Sequence, residues 1–70
     1  MVYLVMTIQH NRVTSVKAFE RWFDATMYAD TVAISINRGV SKEMLDWENS
    51  EYRNAYESNG VAVMIERCEV

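Results

Sequence analysis

His10 and Cys68 have side chains suited to covalent catalysis: a cysteine thiolate is a nucleophile and an imidazole is its base. They sit near opposite ends of the sequence. Only a sheet in which their strands run parallel as neighbours would bring them together. His10 is the single histidine and Cys68 the single cysteine, and no third residue is evident to orient the imidazole. A cysteine is also commonly just a small buried hydrophobe. The expectation is therefore that the chain is not an enzyme. Metal binding has no better basis, because no pair of ligands at short spacing is matched by a second pair elsewhere. The neighbouring acids Glu20 and Asp24, and Glu48 and Glu51, read as solvated surface, so no metal and no cofactor is expected.

A second pattern is a faint internal repeat. Ile8-Gln9-His10-Asn11-Arg12, followed by Ser15, Lys17 and Trp22, runs parallel to Ile34-Ser35-Ile36-Asn37-Arg38, followed by Ser41, Lys42 and Trp47. In a parallel α/β sheet, such Asn-Arg corners would lie at the carboxyl ends of strands, where helix N-termini present free N–H groups. Asn11, Arg12, Ser15, Asn37, Arg38 and Ser41 would then form a small-anion or nucleotide pocket. Polar residues are common at such corners, however, and Gly39 alone makes no glycine-rich phosphate loop.

The third pattern is charge. Between Lys42 and Glu57 lie Glu43, Asp46, Glu48, Glu51 and Glu57 against Lys42 and Arg53, a balance of −3 that equals the net charge of the whole chain. Read as a helix, this segment puts Leu45, Tyr52 and Tyr56 on its buried side and projects Trp47 outward between Glu43 and Glu51. An exposed tryptophan among acids is an anchor of the kind that dominates interface hot spots, and the acids would steer a basic partner. The competing expectation is that Trp47 packs on a neighbouring loop or the sheet edge. The candidate docking residues are Glu43, Asp46, Trp47 and Glu51, with Tyr28 extending the surface from a preceding helix.

The elements that must position these residues emerge from periodicity. Val2 to Gln9 alternates as a strand, with Val2, Leu4, Met6 and Ile8 on one face. Val16 to about Ala29 reads as a helix, with Val16, Phe19, Trp22, Phe23, Thr26 and Met27 as its apolar stripe. Thr31 to Asn37 alternates again, a helix is expected from Ser41 to about Ser58, and Asn59-Gly60 supplies its left-handed ending. Val61 to about Cys68 is the last strand. The order βαβαβ predicts a single α/β domain over residues 1–70, with a three-stranded, mainly parallel sheet and both helices on one face. The alternative is an α+β arrangement with one antiparallel strand.

Composition limits the function classes. Half of the 70 residues are hydrophobic and none is proline, which argues for a folded unit and against disorder. No apolar run approaches the ~20 residues of a membrane span. The N-terminal stretch has no basic leader, so a signal peptide is not expected. An acidic balance argues against direct nucleic-acid binding, which depends on cations neutralising phosphates. A lone cysteine fits a reducing, cytoplasmic setting. Seventy residues also build a core that is marginal alone, and a homodimer would enlarge it. The leading expectation is a non-enzymatic interaction module or inhibitor that binds a protein partner through the acidic, aromatic helix face. A small viral or mobile-element accessory protein that blocks a nucleic-acid-handling enzyme is one concrete version.

Overall fold

The computed structural model describes residues 1–41, 43, 45, 47 and 60–69, together with the backbone of 55–58. The elements are β1 (Val2–Gln9), β2 (Arg12–Phe19), α1 (Trp22–Ile36), β3 (Ala55–Ser58) and β4 (Val61–Cys68). The four strands form one sheet in the order β2-β1-β4-β3, and every pairing is antiparallel. Among the described residues the fold is therefore α+β, ββαββ in sequence, with α1 between two hairpins. This overturns the expected mainly parallel βαβαβ domain. The α+β alternative is nearer, although no strand pair is parallel.

The two hairpin turns explain the difference. Gln9 pairs with Arg12, and the two residues between them, His10 and Asn11, have φ of 51° and 67°. Two positive φ values in a two-residue loop turn the chain back in the sense that matches strand twist, and His and Asn tolerate that region better than most residues. The chain therefore folds back into β2 instead of entering a crossover helix. At the other end Ser58 pairs with Val61, and Gly60 just before Val61 has φ 79°. The expected left-handed residue is present, but it closes a hairpin and does not end a helix. The two turns lie side by side, with the His10 N–H donating to the Gly60 carbonyl at 3.2 Å.

β2 takes the start of the expected first helix, Val16 to Phe19, whereas Trp22 to Ala29 is helical as expected, within α1. In β2, Val13, Thr14 and Val16 are β-branched and suit a pleated strand. A bulge falls between Thr7 and Ile8. The Thr14 hydroxyl there donates to the Thr7 carbonyl at 3.2 Å.

α1 then runs through the segment expected as the second strand. Its buried stripe is Ala25, Ala29 and Ala33, one residue per turn on a single face. Small side chains let the helix lie close to the sheet. The hydroxyl-bearing residues, poor helix formers by propensity, bond back to their own helix. Thr26 Oγ1 donates to the Phe23 carbonyl, Thr31 Oγ1 to Met27 and Ser35 Oγ to Val32. Asp24 in the first turn complements the helix dipole.

Cross-strand partners share a face. One face of the sheet carries Tyr3, Val5, Val63 and Ile65, and α1 packs on this side. Val5 and Ile65 are each 1 % exposed. Leu45 and Trp47 join the same cluster. Two ring pairs tie sheet to helix at its rim: Tyr3 meets Trp22 edge-on and Phe19 meets Tyr28, each at 5.4 Å between centroids.

Candidate interaction surface

The opposite face of the sheet carries none of the described helical residues. On β1 it presents Val2, Leu4, Met6 and Ile8. Across from them, β2 contributes Val13, Val16 and Ala18, and β4 contributes Ala62, Met64, Glu66 and Cys68. Of these eleven positions on the three long strands, only Glu66 carries a charge. Leu4, Met6, Ile8, Ala62 and Met64 are half-buried, while Val16 on the edge strand is 52 % exposed. At the short edge, Ala55 pairs with Met64 and Glu57 with Ala62.

The helix-covered face is the more polar of the two. Besides its apolar centre it holds Thr7, Gln9, Arg12, Ser15, Lys17 and Arg67 at its margins. Two of these cations are placed over rings: Lys17 Nζ lies 5.5 Å from the Tyr28 centroid and Arg67 Cζ 5.2 Å from that of Trp22. A cation over a ring face is attracted by the ring quadrupole.

The residues singled out from sequence are scattered by this fold. Trp47 is 5 % exposed, lies in the core, and donates its indole N–H to Asp30 Oδ1 at 2.7 Å. It is a packing residue that tethers the chain after α1, not an outward anchor. Tyr28 is half-buried against Phe19 beneath Lys17. Glu43 is exposed, whereas Asp46 and Glu51 lie outside the described residues. The helix expected from Ser41 to Ser58 gives way at its end to β3.

The Asn-Arg corners fall on different elements, neither of them a strand-to-helix crossover. Asn11 and Arg12 belong to the first hairpin, and Ser15 is exposed on β2. Asn37 caps the C-terminus of α1, where its side-chain oxygen accepts from the Gly39 N–H at 3.0 Å. Arg38 and Ser41 come after it, both exposed. That end of a helix presents carbonyls and a negative dipole, the reverse of an anion site.

The Cys–His pair is separated too. His10 adjoins Gly60, whereas Cys68 pairs with Val2 at the far end of the central strands. Seven residue steps of strand, ~23 Å at ~3.3 Å each, lie between those ends. Among the described residues, no three His, Cys, Asp or Glu side chains are grouped to hold a metal ion. No described helix is long and apolar enough to cross a membrane.

The open face is legible in the sequence as a pattern, but the pattern assigns it to the core. Val2, Leu4, Met6 and Ile8 alternate so cleanly that they read as the buried row. The decisive signal lies in the neighbouring positions: Tyr3 and Val5 are apolar as well, so β1 has two apolar faces, of which α1 covers one. Comparison with known proteins adds no assignment, as no family model matches the sequence and no curated protein or solved structure is similar to it.

Proposed function

We propose that this chain is a non-enzymatic interaction module that acts by burying the open face of its sheet against another protein surface. The observation that carries this reading is the contrast in covering. A nearly uncharged face built from Leu4, Met6, Ile8, Val16, Ala62 and Met64 carries no described helix, while the more polar face is the one α1 covers. Contiguous apolar surface of that extent on a soluble chain marks a contact site. Methionines at its centre, Met6 directly across from Met64, give a surface that can adapt its shape to a partner. A cytoplasmic setting accords with the lone thiol of Cys68.

A photoreactive residue placed at Met6, and separately at Ser35 on the exposed side of α1, tests this. The expected result is a crosslink from the Met6 position to another polypeptide, of its own kind or a different one, and none from Ser35. A folded protein that crosslinks to nothing from Met6, or equally from both positions, overturns the reading.

A further inference from the structure

We propose that the occupant of the open face is a second copy of this chain, packed sheet to sheet so that the two helices lie on the outside. This rests on the reading of that face as a docking surface and names its partner.

Area comes first. Strands of eight residues at ~3.3 Å per residue, with neighbours ~4.8 Å apart and one strand half as long, give a face of roughly 450 Å² in projection. Two such faces bury about 900 Å², and more once the relief of the side chains is counted. A specific interface needs about 1,000 Å². The face reaches that size only when the side-chain relief is counted and most of it is used, as when one twisted sheet stacks on an identical one. Stacked sheets lie ~10 Å apart with interdigitated side chains, the geometry of a β-sandwich.

Self-complementarity comes second. An isologous contact requires a patch that matches itself. Nearly all of this one is uncharged, and its middle is the Met6–Met64 pair between the two central strands. A two-fold axis over that pair brings four flexible methionines together at the centre of the interface.

The edges, by contrast, are guarded. β3 has only four residues, and β2 carries Arg12, Lys17 and the bulge at Thr14. Short strands, cations and bulges are the features that block edge-to-edge pairing. Oligomerisation is thereby directed from the edges to the face.

Among the described residues that follow α1, Leu45 and Trp47 are committed to the helix side.

Sedimentation equilibrium from 1 to 200 µM on the wild-type chain, Val16→Lys and Phe23→Lys tests the proposal. Val16 is on the open face and 52 % exposed, so lysine there is solvated in a monomer; Phe23 is 69 % exposed on α1 and serves as the control. The expected result is a wild-type mass of twice 8.2 kDa, a dissociation constant raised at least about a hundredfold by Val16→Lys, and no change with Phe23→Lys. Circular dichroism checks that both variants retain their helix. A wild-type monomer throughout the range overturns the proposal without a variant being needed. So does a dimer that Phe23→Lys disrupts and Val16→Lys does not. In the monomer case, a Met6 crosslink to a different protein would keep the docking face and change its occupant, whereas no crosslink would dispose of both.

Discussion

The two faces of the sheet are built from alternate residues of the same strands, yet their outcomes differ. Ile65 and Met64 are neighbours on β4; Ile65 is sealed beneath α1, and Met64 lies half-buried on the open side. Apolar content does not separate them, since the open face is the less polar of the two. What separates them is the helix: the alanine-lined α1 packs on one face, and two cations of that face, Lys17 and Arg67, are placed at its rim over Tyr28 and Trp22. Composition alone therefore does not identify a core. A core is an apolar face with something to lie on it, and an apolar face left over is an interface in waiting.

Truncations on the two faces test this contrast. The largest effect is expected at Trp47→Ala, which removes a core indole and its bond to Asp30. A loss of about 3–5 kcal/mol in unfolding free energy, read by urea denaturation, would leave so small a domain largely unfolded. Ile65→Ala should cost about 2–5 kcal/mol, whereas Met64→Ala, measured in dilute solution where dimers dissociate, should cost no more than about 1 kcal/mol. Equal losses at these adjacent positions would abolish the distinction between the faces. Ala29→Leu should cost about 1–3 kcal/mol by forcing α1 away from the sheet. An Ala18→Leu change on the open side should be tolerated. Gly60→Ala should cost about 1–2 kcal/mol, because alanine at φ 79° is strained in the turn. The smallest effect on the dilute monomer is expected at Val16→Lys, within about 0.5 kcal/mol for an exposed site, even though the same change should disrupt the dimer.

Much of this fold is written locally, and the failures have physical causes. The strands Val2–Gln9 and Val61–Cys68 are legible with their observed ends, because alternation over eight residues is a strong signal. Both turns are visible as punctuation, but a left-handed residue closes a hairpin as readily as it ends a helix. The outcome is decided by whether the next residues can pair back as a strand. α1 is split in the sequence reading because its contact stripe is alanine, nearly invisible to a hydrophobic pattern, while the bulky Phe23 and Met27 that mimic a stripe are exposed. The alternation from Thr31 to Ile36 favours a strand for the same reason. The candidate docking face loses its aromatic anchor, because Trp47 is buried in the core, while Asp46 and Glu51 lie outside the described residues. None of the sequence patterns points to the open face as a surface, since its residues are those that a sequence assigns first to the interior.

An isotope-filtered nuclear Overhauser experiment on a mixture of labelled and unlabelled chain at millimolar concentration would show what touches the open face. Intermolecular contacts from the Met6 and Met64 methyls to Leu4, Ile8 and Val16 of the second copy are the expected result. An absence of intermolecular contacts, or contacts confined to the β2 edge or to Phe23 and Met27, would contradict the sheet-to-sheet assembly.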